Sequence, residues 1–163
     1  MREKSAPSVR DVASTVEVRD WADVHVAAQA ARRKAVAAGF QARGQVELAI
    51  VATELCTNIL RHAGTGELRV RVVDDPVEGV GVELIARDAG RPIRDLAVAM
   101  TDGCDDGGPI SPDRLIGRQG LGTGLGAVAR MTHLFEYRAL PQGKEIRVVR
   151  YVKPRQGFSD VDR

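Results

Sequence analysis

Polar groups interrupt an apolar helical pattern in one stretch of the chain, Val46 to Ala63, which reads VELAIVATELCTNILRHA. On a helix, Glu54 and Asn58 stand one turn apart, with Arg61 on the same stripe and His62 beside it. A carboxylate one turn from an amide, followed by a cation, suits the holding of a metal-bound polyanion. Taken alone, the same Glu-x-x-x-Asn also fits an ordinary solvated helix face.

Two further groupings fall at the ends of expected strands. In Asp88-Ala-Gly-Arg-Pro-Ile93 a strand runs straight into a turn. Gly90 lets backbone approach a ligand there, and Asp88 is placed to accept from an exocyclic amine, although Asp-x-Gly also serves as a plain turn. The third grouping is the run Gly120, Leu121, Gly122, Thr123, Gly124, Leu125, Gly126, which leads into helical spacing from Ala127 to Met131. Glycine at every second position suits neither a strand nor a helix interior. Such a loop at a helix N-terminus offers free N–H groups and the positive end of a dipole, the physical basis of a phosphate cradle. It also fits a lid hinge. A P-loop is excluded, because the chain's Gly143-Lys144 pair is followed by Glu145 inside a hairpin. The dinucleotide pattern Gly-x-Gly-x-x-Gly/Ala is rejected as well, since residues 113–119 make a poor preceding strand.

The elements that must position these groups follow from periodicity. Thr15 to Arg19 alternates as a strand does. A helix capped by Asp20, with Asp23 at its third position, carries Trp21, Val24, Ala28, Ala31, Ala35 and Ala38 on its buried stripe and ends at Gly39. After a connector at Gln41–Gly44 comes the Val46 helix, with Val46, Ala49, Ile50, Ala52, Cys56, Ile59, Leu60 and Ala63 on its apolar face and Gly64 as its stop. Leu68, Val70 and Val72 then alternate with charged residues, and Val82, Leu84 and Ala86 form the next strand. A hairpin joins Phe135–Leu140 to Glu145–Val152 through Pro141-Gln142-Gly143. Four or five mostly antiparallel strands with helices layered on one face make an α+β fold. Residues 1–13 read as a flexible arm, 14–153 as one domain with a lid at about 101–119, and 154–163 as a disordered tail.

Composition sets the class. A chain of 163 residues holds one compact domain, and 44% apolar with 28% charged residues is the balance of a water-soluble protein. The net charge of +2 gives no ground for nucleic-acid binding. No apolar run approaches a membrane span and the N-terminus lacks a signal-peptide core, so a cytoplasmic location is expected. Cys56 and Cys104 form neither a metal cluster nor a disulfide framework.

Taken together and in this order, Glu54-x-x-x-Asn58, Asp88-x-Gly90 and Gly120-x-Gly-x-Gly-x-Gly126 resemble the boxes of the GHKL ATPases, the superfamily of gyrase, MutL and the histidine kinases. The short chain is similar to the anti-sigma-factor serine/threonine kinases, and residues 93–103 with 120–131 are most similar to the RsbT-like switch kinases of stressosomes. The resemblance implies a Bergerat-type two-layer sandwich that binds ATP and Mg²⁺. It implies Asn58 as the Mg²⁺ ligand and Glu54 as the base toward a substrate serine or threonine. Asp88 would read the adenine amine with Gly90 against the base, and the amides of Gly120 to Gly126 would hold the phosphates. Arg61 and His62 stand nearby as contacts to phosphate or substrate.

Some positions depart from the family's pattern. Pro92 replaces the second glycine of Asp-x-Gly-x-Gly and lacks an N–H. Lys144 stands where a threonine near the adenine is usual, and Asp105-Asp106 add acid to the lid. The partners implied are a STAS-domain antagonist or scaffold as substrate, and a PP2C-type phosphatase or a sigma factor downstream; a homodimer stays open. The alternative is a partner-switching or anti-sigma binding protein that keeps the fold without turnover.

Overall fold

In a computed structural model, residues 8–9, 11–101, 104–105, 108–109 and 124–153 are described. Helix α1 spans Trp21–Ala38. Asp20 caps it by accepting from the amides of Ala22 at 2.8 Å and Asp23 at 3.2 Å, while the Asp23 carboxylate accepts from the Asp20 amide. Gly39, at φ 92°, closes the helix in the left-handed conformation that favours glycine.

Helix α2 spans Ala42–His62 and so begins ahead of the expected Val46. The reason lies in Gly44, which reads as part of a connector but sits inside the first turn. A Cβ there would come within 2.6 Å of the Phe40 ring, so its absence is what lets Phe40 lie on the helix. The buried side of α2 also differs from the expected stripe. Leu48, Val51 and Leu55 are fully buried, whereas Val46 is 50% exposed. Because α1, the sheet and a later helix all pack on α2, its covered arc is wider than one stripe. On α1 the buried set is Val24, Ala27, Ala30, Ala31 and Ala35, with Trp21 at the surface. Gly64, at φ 79°, ends α2 with its amide on the Ile59 carbonyl.

Strands β1 (Ser8–Val9) and β2 (Ser14–Val18) both lie along one edge of β3 (Gly66–Asp75). Strand β4 (Gly79–Asp88) follows β3, with α3 (Leu96–Ala99) after it and the short pair β5 (Cys104–Asp105) and β6 (Gly108–Pro109) beyond. Helix α4 (Gly124–Arg130) precedes the hairpin of β7 (Leu134–Leu140) and β8 (Gly143–Tyr151). The main sheet is antiparallel throughout, in the order β1/β2, β3, β4, β8, β7. Its inner face, including Leu68, Leu84 and Val148, meets α1 and α2 in one core. This is the α+β two-layer sandwich expected from the sequence. On the outer face Arg71 and Arg147 flank the buried Glu83, and Arg87 and Arg138 flank Glu145, so long guanidinium stems cover the sheet.

Within the stretch read as an N-terminal arm, the Asp11 carboxylate accepts from the Val72 amide at 3.0 Å and pairs with Lys34 at 2.5 Å. The expected tail at 154–163 and most of the lid region lie outside the described residues. Among the described residues no helix is long and apolar enough to cross a membrane.

Candidate functional site

The second half of α2 carries Glu54, Asn58, Arg61 and His62. Glu54 is only 3% exposed, so the solvated-face reading does not hold for it. Asn58 is half-buried, and its amide makes no hydrogen bond among the described residues. Beside it the Thr57 hydroxyl is buried without a partner among the described residues, a polar group that sequence reasoning passed over. Arg61 is half-buried and His62 exposed at the last turn.

The end of β4 meets this part of α2. A Cβ on Gly66 would touch Ile59 Cγ2 at 2.7 Å and Asp88 Cβ at 3.1 Å, which sets Asp88 beside the helix residue that follows Asn58. A Cβ on Gly90 would lie 2.7 Å from the His62 carbonyl and 2.8 Å from Ala63 Cβ. The Asp88-x-Gly90 turn is therefore pressed onto the C-terminal end of α2, a close approach that only glycine admits. The hairpin tip closes the other side. A Cβ on Gly143 would fall 1.8 Å from the Asp88 carbonyl oxygen and 2.7 Å from Ala89 Cα.

The Asp88 carboxylate is held by Oδ1, which accepts from the Gly90 amide and from Lys144 Nζ, each at 2.9 Å. Lys144 Nζ also donates to the Arg91 carbonyl at 3.3 Å. Both side chains are buried, at 2% and 3% exposure. Asp88 and Lys144 are register partners on β4 and β8, on the face turned toward the helices. Oδ2 accepts no hydrogen bond among the described residues. The loop after Asp88 is tied down at Ile93, whose amide donates to the Tyr137 hydroxyl at 2.9 Å.

From the glycine run, Gly124, Leu125 and Gly126 belong to α4, with Gly124 at φ 59° opening it. The Leu125 side chain is 4% exposed and packs in the core, so backbone is what that residue offers a ligand. Gly120, Leu121, Gly122 and Thr123 lie outside the described residues. Helix α4 packs on α2, which brings the end of the glycine run to the helix carrying Glu54 and Asn58.

A polyanion fits the donor set better than a metal held by protein alone. Among the described residues no three His, Cys, Asp or Glu side chains converge on a point. A Mg²⁺ at Asn58 would take its other oxygens from phosphate and water, as Mg²⁺ commonly does.

A family model described as the histidine kinase-like ATPase domain matches residues 9–150. The chain belongs to that family. This ATPase domain is also 30% identical over 135 residues to the serine/threonine-protein kinase RsbT of Bacillus subtilis (strain 168), an alignment covering 82% of this chain and 92% of RsbT. The resemblance to the GHKL superfamily and its RsbT-like members thus rests on nearly the whole ATPase domain rather than on three short boxes.

Proposed function

We propose that the chain is an ATP-dependent protein serine/threonine kinase of the partner-switching type, acting on a STAS-domain antagonist or stressosome scaffold. One observation carries the reading: a buried Glu54 carboxylate stands one turn from an Asn58 amide that has no hydrogen-bond partner among the described residues, and the Asp88 carboxylate keeps one oxygen uncommitted among those residues. Likeness to a protein named as a serine/threonine kinase supports it.

In this reading ATP, with Mg²⁺, supplies the phosphoryl group. Glu54 takes the proton of the substrate hydroxyl as the hydroxyl oxygen bonds to the γ-phosphorus of ATP and the bond from that phosphorus to the ADP oxygen breaks. Asn58 would hold Mg²⁺ through its amide oxygen, and the ion would supply charge neutralisation at the phosphates. Asp88 Oδ2 accepts from the base amine, with Gly90 leaving room for the base. The amides from Gly120 to Gly126 hold phosphate oxygens, and Arg61 and His62, in the last turn of α2, contact phosphate or substrate. Most of the rate then comes from positioning and charge neutralisation.

The test is calorimetry of ATP with and without Mg²⁺, on the wild type and on Asn58→Ala, followed by phosphotransfer to STAS-domain candidates. Mg²⁺-dependent binding should be lost in Asn58→Ala. Glu54→Gln should keep ATP binding while transfer falls by about a hundredfold or more. A chain that binds STAS partners but never ATP would be a binding-only switch, and this proposal would fail.

A further inference from the structure

We infer that Lys144 is the second half of the base-reading edge, a specificity-determining residue that donates to the ring nitrogen next to the amine accepted by Asp88. The inference rests on the ATP reading above and deepens it.

Lys144 is out of place for a structural lysine. It is 2% exposed, among the largest fully buried side chains, and it ends on the carboxylate at the close of β4. Removing two charges from water is costly even when they are paired, and an apolar pair of similar size would serve a core as well or better. An ion pair at this spot therefore points to a recognition task. Its hydrogen bonds define that task. An ammonium has three protons. One goes to Asp88 Oδ1 and one to the Arg91 carbonyl, which leaves one uncommitted among the described residues.

Asp88 mirrors this arrangement. Oδ1 is occupied twice, by Gly90 and Lys144, so the carboxylate cannot rotate without losing both bonds, and Oδ2 is the oxygen left to a ligand. The edge thus presents an acceptor beside a donor. A 6-aminopurine presents the complement, an amine donor beside the N1 acceptor. Backbone does not supply this donor at residue 92, because Pro92 carries no N–H. The ammonium reaches the carbonyl of Arg91, the residue just before that proline, so the charged donor offered at this edge is Lys144 Nζ.

The deciding experiment compares ATP with 1-deaza-ATP, which lacks the N1 acceptor, on the wild type and on Lys144→Met by calorimetry in Mg²⁺. Hydrogen bonds to charged groups are the stronger kind, so the wild type should bind 1-deaza-ATP about tenfold or more weakly than ATP. Lys144→Met should bind the two equally. Equal binding by the wild type, or an undiminished preference in Lys144→Met, overturns the inference while leaving the ATP site standing. Failure of the wild type to bind ATP at all overturns the kinase reading and this inference with it. Losing one member of a buried pair can unfold a protein, so a second readout uses the intact chain. The ¹⁵N signal of the Lys144 ammonium should shift on adding ATP and stay put on adding 1-deaza-ATP; the same shift with both ligands overturns the assignment.

Discussion

The Cys56 thiol lies on α2 with no exposed surface, and that burial, reinforced by the negative charge of Asp23, pushes its pKa up from 9.0 to about 12. The unfolded chain releases this proton near the ordinary value while the native chain keeps it. Between those values the unfolded state binds fewer protons, so stability falls as pH rises. Tyr151, raised by burial and then by Asp75 and Glu78, acts in the same direction. Melting temperatures at about pH 8 and about pH 10 should therefore drop less in Cys56→Ala than in the wild type. Peptide mapping after native alkylation should find Cys56 unmodified until denaturant is added. At this scale Glu54, Asn58, Asp88 and Gly90 stand out in the sequence as candidates because their types and spacing are unusual for the elements they sit on. Lys144 was legible only as a substitution. A lysine on an alternating strand reads as wet, and its burial follows from register with Asp88, which no local pattern displays. Thr57 was hidden for a similar reason, since a helical threonine ordinarily bonds the preceding turn as Thr53 does with Ala49.

Among the elements, α1 was the most readable. Asp20 and Asp23 form a reciprocal capping box, and Gly39 closes the far end. Asp20→Ala should cost about 1 kcal/mol, a fall of roughly 2–4 °C in melting temperature for a domain of this size. Thermal unfolding checks it, with ATP affinity unchanged because the cap lies outside the site. Strands β2, β3, β4, β7 and β8 are readable from their alternating apolar residues, whereas β1, β5 and β6, two residues each, are too short to show a period. Helix α2 was read less well at its start and around its circumference. Gly44 resembles a breaker yet packs under Phe40, and a helix covered by α1, α4 and the sheet fits several apolar stripes at once. Glu54 and Asn58 fall one turn apart on α2 whichever apolar stripe is chosen, because their spacing does not depend on it.

For the whole molecule, the sheet edge at β3 is covered by two separate short strands, with the Asp11 carboxylate filling the gap between them. An exposed row of edge amides invites pairing with another chain. In Asp11→Ala the Val72 amide loses its acceptor, and Lys34 loses its ion partner. Hydrogen exchange at Val72 should speed up selectively, while amides in the β4–β8 ladder keep their protection; uniform acceleration would mean that Asp11 acts on global stability instead. This crossing from residue 11 to β3 is long-range and has no periodic signature, so the sequence reading passed over it.

The two ends of β4 accept changes of chain length very differently. The strand is ten residues long, so its ends lie about 30 Å apart. At the Asp75–Gly79 turn Val77 is 85% exposed, and added residues there displace only water. At the other end the hairpin tip has Gly143 pressed on the Asp88 carbonyl, with no room for even one methyl group. The tip behaves as a mechanical stop that sets the seat of the Asp88 carboxylate. Added length is thereby accommodated at the Asp75–Gly79 end, whereas the Asp88 end admits changes of side chain only at fixed length.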